Sequence, residues 1–377
     1  MDIQFAYWVP NVSGGLVTSN IAQHTDWSFD YNHRLALSAE AAGFDYALAQ
    51  ARFFASYGAD KQLEAVTTAI ALAAVTKRLN LIAAVHPGLW HPAVIANVIA
   101  SANYISNGRV SLNVVSGWFK DEYTGFGAEW LEHDERYVRS EEFIRILKGM
   151  WTQERFSFAG KYYQIQDVPM EPKPTSKPHP TIFQGGNSPA AREMAARVAD
   201  VLFMNGGSVE HIAHLIQDVK RRAERYGRAN DIRFAMNAFV ISRDTEAEAL
   251  STLRNIVAKA NVEAVKGFGE AVKEAGQAAP EGEGMWSNSG FEDLVQYNDG
   301  FKPKLIGTPE QIASRIQAYE AVGVDILLTG FLHFIEEVEN FGWSIRPLVR
   351  TLPSLRSKHD FLFAHSGSGI VGNLEGR

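Results

Sequence analysis

The sequence predicts a (β/α)8 barrel of the TIM type, in the α/β class, on three observations. Apolar runs of strand length recur along the chain, a segment of helical period follows each of them, and such units number eight. Strict alternation implies parallel strands joined by right-handed crossovers, and eight units close a sheet into a barrel. A doubly wound open sheet is the alternative that alternation alone leaves standing.

In chain order the strands are Ile3 to Val9, Phe44 to Ala49, Leu79 to Val85, Val110 to Val115, Thr181 to Gln184, Asp200 to Met204, Phe234 to Ile241 and Val324 to Thr329. Helix starts are legible between them. Ser188-Pro189 sets an N-cap hydroxyl before a proline at the first helical position, and Thr308-Pro309-Glu310-Gln311 adds a glutamine that completes a capping box. In the helix predicted over 134–151, Phe143, Ile144, Leu147, Met150 and Trp151 fall on one face, as packing on a barrel requires.

Three stretches break this rhythm within what is otherwise one domain, 1–377. Residues 152–180 carry Phe156-Ser157-Phe158 and Tyr162-Tyr163-Gln164-Ile165 about a turn at Gly160, then a proline-rich run, which predicts a small hairpin and an extended connection. Residues 261–303 are rich in Gly, Glu, Asn and Ala and predict a mobile lid with few apolar anchors. The tail, 351–377, contains Ser366-Gly367-Ser368-Gly369 and is expected to be disordered or to lie on a neighbouring subunit.

Composition excludes several functions. With 46% hydrophobic residues in 377, the chain can bury a large core. The net charge of −7 and the lack of a basic run argue against a nucleic-acid partner, because phosphates need a concentrated basic surface. With no cysteine there are no disulfides, thiolate metal sites or cysteine nucleophiles. The start, Met1-Asp2-Ile3-Gln4-Phe5, reads as a strand rather than a secretory signal, and no apolar run approaches the roughly 18 residues of a membrane span. A soluble cytoplasmic protein without a membrane partner is the expectation.

Barrels bind ligands at the carboxyl ends of their strands and the loops beyond. The fourth strand ends there in Asn113-Val114-Val115-Ser116-Gly117-Trp118, and Tyr137 opens the helix that follows. The fifth runs through Thr181-Ile182-Phe183-Gln184 into Gly185-Gly186-Asn187-Ser188-Pro189. A glycine pair lets backbone amides approach a ligand, and a helix N-terminus has unpaired N–H groups and a positive dipole end, which suit a phosphate. A tight turn with a serine cap explains the same residues. The adjacent glycines do not form the dinucleotide fingerprint. His86, His133 and His333 stand at or beyond strand ends and are candidates for proton transfer, although structural hydrogen bonding also accounts for them. His211 and His214 have helical spacing but no third ligand, so no metal site is expected.

The Asn-x-x-Ser strand end, the helical Tyr and the Gly-Gly-x-Ser turn, in this order, resemble the flavin-dependent monooxygenases of the bacterial luciferase superfamily. The resemblance covers most of the chain and is nearer to the alkanesulfonate monooxygenases, and nearer still to the dimethyl sulfone monooxygenases. It implies that Asn113, Ser116, Tyr137, Gly185, Gly186, Asn187 and Ser188 contact FMN, chiefly at its phosphate and ribityl chain. It further implies that Ala84 lies against the flavin ring, with a cis peptide between Ala83 and Ala84. Thr329 to Glu337 is similar to a Gly-Tyr-Pro-His-Leu-Glu-Glu segment of those enzymes, which makes His333 the leading catalytic candidate, with His86 beside it.

The activity implied uses FMNH2 and O2 to cleave a C–S bond of a small neutral organosulfur compound, dimethyl sulfone, giving methanesulfinate and formaldehyde. A separate NAD(P)H-dependent FMN reductase supplies FMNH2, and the subunit is expected in a dimer or tetramer. Trp8, Trp90, Trp118, Phe239 and Phe331 are candidates for an apolar wall. Alkanesulfonate enzymes have an Arg and a His where Asn237 and Phe239 stand, another Arg near Asn298 and a Tyr at Phe331. Loss of those cations implies a neutral sulfone held by Asn237 and His333, since a buried anion needs paired charge. Alkanesulfonate oxidation, a deazaflavin-dependent reductase and a non-catalytic flavin- or phosphate-binding barrel are the alternatives.

Overall fold

The structure, a computed structural model, describes residues 2–276 and 283–351. Eight parallel strands form a closed barrel: β1 (Gln4–Val9), β2 (Tyr46–Ala49), β3 (Asn80–Val85), β4 (Val110–Val114), β5 (Ile182–Gly185), β6 (Val201–Met204), β7 (Arg233–Phe239) and β8 (Ile326–Gly330). Each pairs with its neighbours in the chain, and β8 closes on β1 in the register Gln4 to Ile326 through Tyr7 to Thr329. All eight predicted runs become barrel strands.

Small boundary shifts have a common cause. Asp45, Asp200 and Asp325 precede β2, β6 and β8, and their carboxylates accept the backbone N–H of Phe5 at 2.9 Å, Ile182 at 2.8 Å and Phe234 at 2.8 Å on the adjacent strands. A carboxylate cannot enter the barrel core without a partner, but at the bottom rim it satisfies a strand-start amide. The expected strand through Ile241 likewise ends at Phe239, and Ile241 leaves the barrel to pair with Ile306.

The helical shell follows the apolar periodicity. Phe143, Ile144, Leu147, Met150 and Trp151 of the helix His133–Thr152 are buried, and Trp151 Nε1 donates to Ala96 O at 2.9 Å in the helix Pro92–Ile105. Both predicted caps form: Ser188 accepts from Ala191 N, and Thr308 and Gln311 make a reciprocal capping box. The 152–180 stretch holds the expected hairpin, Arg155–Ala159 against Gln164–Pro169. No helix among the described residues is long and apolar enough to cross a membrane.

The 261–303 stretch corrects an expectation. It forms a helix, Val262–Gly276, a short helix, Phe291–Leu294, and a 3-10 turn, Tyr297–Asp299; residues 277–282 lie outside the described residues. Far from lacking anchors, it buries Val265, Phe268, Val272, Leu294 and Val295. Composition hid this because the apolar residues recur at helical spacing among Gly and Glu, and spacing decides burial. The expectation for the tail falls outside the described residues beyond 351.

Amides of Val262 to Lys273 are therefore expected to be protected from hydrogen exchange in ligand-free protein. Phe268→Ala removes a fully buried ring at a cost of about 3 to 5 kcal/mol, and should abolish that protection while sparing amides of the barrel strands. Full exchange of this helix in the unmodified protein would contradict its anchoring.

Candidate functional site

The carboxyl ends of the strands open into a cavity. Trp8, Leu48, Ala84, Asn113, Gly185 and Phe203 supply its barrel side, one each from β1 to β6. Ser116 to Trp118, His133 and Tyr137 form one flank, and Phe268, Trp286, Tyr297 and Asn298 of the 261–303 stretch roof it. The roof is an aromatic network: ring centroids of Trp118 and Phe268 are 5.7 Å apart, Phe268 and Tyr297 5.0 Å, and Trp118 and Trp286 6.1 Å.

One side of this apolar space is polar. Asn113 Oδ1 and Ser116 Oγ are buried and have no hydrogen-bond partner among the described residues. An unpaired buried polar atom costs about 1 to 3 kcal/mol, so two on one wall mark a place that fits a polar ligand. The loop carrying Ser116 is held in shape by Arg136, whose Nη1 donates to Gly117 O and whose guanidinium lies 4.3 Å from the Trp130 ring centroid.

The turn after β5 is a cradle that side chains would fill. Gly186 has φ +145°, and a Cβ there would stand 2.6 Å from Ala191 Cβ and 2.9 Å from the Tyr137 hydroxyl. That hydroxyl hydrogen-bonds to Ser188, and burial raises its pKa, so it stays a protonated donor at neutral pH. Of the residues expected to bind a cofactor, Ala84, Asn113, Ser116, Tyr137 and Gly185 line the cavity. Gly186, Asn187 and Ser188 form the turn behind Gly185 outside the lining, with Asn187 Oδ1 accepting from Asn205 N at 3.4 Å. The cis peptides among the described residues are Glu171–Pro172 and Lys177–Pro178, so the expected cis bond at Ala83–Ala84 is corrected to trans.

Neither leading catalytic candidate lines the cavity. His86 is buried between the loops after β4 and β2, with Nδ1 3.0 Å from Val115 O and Nε2 3.1 Å from Ala51 O, and its neutral ring donates to one of these two carbonyls at a time. Burial holds its imidazole below the ordinary pKa, against the pull of the Glu122 carboxylate and the two carbonyls. His333 Nδ1 meets Gln23 O at 2.8 Å, and its ring stacks at 4.5 Å on His24, which lines a second cavity. The histidine that does line the first is His133, whose Nδ1 is 2.7 Å from Asp134 Oδ1. His211 and His214 lie on the helix Val209–Glu224, and no group of three or more His, Asp or Glu side chains among the described residues is placed to hold a metal.

The expected apolar wall divides. Trp8 and Trp118 line the cavity, whereas Trp90, Phe239 and Phe331 do not. Phe239 packs on Phe301 at 5.3 Å, Phe331 lies among Phe44, Phe334 and Phe341, and Trp90 stands 6.5 Å from Phe53. Asn237 does not line the cavity either: its Oδ1 accepts from Trp8 Nε1 at 2.7 Å and its Nδ2 donates to Asn298 O at 3.0 Å, which joins β1 to the roof.

Sequence reasoning missed Arg52 and Glu122. Arg52 lines the cavity beyond β2, its guanidinium 5.1 Å from the Trp118 ring centroid and 4.5 Å from that of Phe119. Its Nε lies 3.4 Å from Oε1 of Glu122, which is wholly buried and also accepts from Phe53 N at 2.8 Å and Phe54 N at 3.2 Å. Lys120-Asp121-Glu122 reads locally as an exposed helix start, and nothing local ties it to Arg52. The roof residues Phe268, Trp286 and Tyr297 were missed for the same reason.

Two outcomes are expected. Because the folded pKa of His86 lies below the unfolded value of about 6.5, the unfolded chain binds more protons between the two, and stability falls as pH drops through that window. His86→Asn lacks this component, so its melting temperature should fall less between pH 7 and 5 than that of the unmodified protein; equal slopes would refute the assignment. Asn237→Leu leaves the Trp8 indole N–H without its protein partner, while the Asn298 carbonyl keeps its bond from Gly206 N at 3.0 Å, and the expected loss is about 1 to 3 kcal/mol in denaturant unfolding.

Comparison with known proteins agrees with this geometry. A family model described as luciferase-like monooxygenase matches residues 3–326. An FMNH2-dependent dimethylsulfone monooxygenase of Pseudomonas putida is 58% identical, covering 94% of this chain and 97% of its own. A protein of the same description from Pseudomonas fluorescens (strain Pf0-1) is 56% identical over 93% and 95%. Among solved structures, DmoA from Hyphomicrobium sulfonivorans superposes with a TM-score of 0.77 at 20% identity, covering 93% of this chain and 88% of that one. The long-chain alkane monooxygenase LadA gives 0.78 at 19% identity, over 93% and 91%. These two share the fold, and the family model and sequence relatives go further: the chain belongs to the luciferase-like monooxygenase family.

Proposed function

We propose that this chain is the oxygenase of a two-component flavin system, which takes FMNH2 as a diffusible substrate and converts dimethyl sulfone to methanesulfinate and formaldehyde. With O2 consumed, the remaining products are FMN, water and a proton. The observation that carries the substrate is 58% identity, over nearly the full length of both chains, to a relative described as acting on dimethylsulfone. Support for the flavin comes from the unpaired Asn113 Oδ1 and Ser116 Oγ beside the glycine turn at the barrel mouth.

In this reading the turn Gly185 to Ser188 and the Tyr137 hydroxyl hold the FMN phosphate, Asn113 and Ser116 hold the ribityl chain, and Ala84 lies against the ring. Reduced flavin, when bound, supplies the activation of O2. The protein binds, orients and keeps water out. Trp8 and Trp118 form the apolar wall around the methyl groups, and Asn237 acts indirectly by fixing Trp8. His86 and His333 serve as braces, since a ring nitrogen of each lies against a backbone carbonyl and neither side chain lines the cavity. A separate NAD(P)H-dependent FMN reductase is the partner, the compartment is the cytoplasm and the assembly is a dimer or tetramer.

Supplied with reductase, NADH, FMN and O2, the protein should yield formaldehyde and methanesulfinate from dimethyl sulfone and little sulfite from methanesulfonate. Efficient sulfite release from alkanesulfonates would show that the substrate class is wrong. Ser188→Asp sets a carboxylate where the phosphate is held, and should raise the FMN dissociation constant on the order of a hundredfold, because an uncompensated buried charge costs several kcal/mol. Unchanged FMN affinity would move the phosphate elsewhere.

A further inference from the structure

We infer that Glu122 sets the charge selectivity of the cavity by neutralising Arg52, so that the site accepts neutral sulfones and gives organosulfur anions no net counter-charge. This rests on the functional reading above and deepens it. Among the described residues that line the cavity, Arg52 is the only Lys or Arg, and no Asp or Glu is present. Left alone, a guanidinium in an aromatic wall would be the natural anchor for a sulfonate.

Glu122 is placed to prevent that. Its carboxylate is wholly buried 3.4 Å from Arg52 Nε, behind the guanidinium rather than in the lining. The orientation is fixed by the amides of Phe53 and Phe54, which donate to Oε1 at 2.8 and 3.2 Å. Arg52 is fixed in turn by its bond from Nη2 to Phe54 O at 3.0 Å and by the rings of Trp118 and Phe119. At this distance in a poorly solvated site the two charges interact strongly, and together they present a dipole instead of a cation.

The neighbouring titratable groups do not upset this balance. His86, whose Nε2 lies 4.0 Å from Glu122 Oε2, is kept neutral at pH 7 by burial, so the carboxylate charge is left to Arg52. Tyr57 faces Arg52 with its phenol pushed up to about 12, and burial also raises Tyr297, so neither adds negative charge. The guanidinium edge still offers donors to a neutral sulfone oxygen. A methanesulfinate anion formed in the cavity finds no surplus positive charge to hold it, which favours its release.

The test is equilibrium binding by calorimetry to flavin-free protein, with methanesulfonate as anionic probe, trimethylsulfonium as cationic probe and dimethyl sulfone as neutral reference. The unmodified protein should bind both ions more weakly than the sulfone. Glu122→Gln keeps an oxygen for the Phe53 and Phe54 amides but exposes the Arg52 charge, and should bind methanesulfonate about tenfold or more tighter than the unmodified protein. Arg52→Gln leaves the carboxylate unmatched and should shift trimethylsulfonium in the same direction by a similar factor. Opposite responses to opposite probes are not produced by loosened packing. Either folded variant decides: unchanged affinity for its matching ion overturns the inference, as does a preference of the unmodified protein for methanesulfonate over the sulfone. Failure of dimethyl sulfone turnover would instead overturn the functional reading and leave these binding results interpretable.

Discussion

The amide of Asn237 joins the floor of the cavity to its roof, and the shape of the site depends on it. One end accepts from the Trp8 indole on β1 and the other donates to the Asn298 carbonyl in the stretch that crosses the barrel mouth. Trp8 and Asn237 lie in barrel strands and Asn298 in the anchored turn Tyr297–Asp299, so all three residues are held in place. Buried away from water, the amide relies on protein partners, so the penalty for leaving it unpaired enforces the geometry more than the strength of either bond. Trp8 is thereby set against Phe203 at 5.9 Å, and Tyr297 against Phe268.

Around that brace the site separates into regions with different chemistry. Unpaired oxygens, a helix N-terminus and a glycine turn are grouped by β4 and β5, whereas the roof and the β1 side are aromatic. Among the described residues that line the cavity, Arg52 is the one Lys or Arg, and its charge is met by Glu122. A buried pair of this kind contributes little net stability, because desolvation offsets attraction. Its presence in a wall that Leu or Met could fill points to a role in what the cavity admits rather than in folding.

Legibility from sequence followed the range of the interactions. Eight strands, the hairpin and the caps at Ser188 and Thr308 were readable because alternation, turn residues and cap spacing act within a few residues. The polar wall at Asn113, Ser116 and Tyr137 was readable because strand ends fix where such residues emerge. What failed was pairing across the barrel. The position of Asn237 was assigned correctly to β7, but nothing in one strand reveals that Trp8 and Asn298 bond its amide. Arg52 and Glu122 belong to two loops that meet only in three dimensions. His86 and His333 were placed at strand ends correctly, yet their rings turn to backbone carbonyls, which one sequence does not predict.

The polar wall leaves Asn113 Oδ1 and Ser116 Oγ without a hydrogen-bond partner among the described residues, an arrangement that a stable fold has to accommodate. A barrel can tolerate it because its core is continuous from Phe5 and Tyr7 through the helix faces, and the unsatisfied atoms lie at the strand ends, outside the layers that hold the sheet closed. Positioned by the same strands that carry the core, they need no rearrangement to meet a polar ligand. Stability and preorganisation therefore have the same origin here: the strands that pack the interior also fix the unpaired oxygens in place before anything binds.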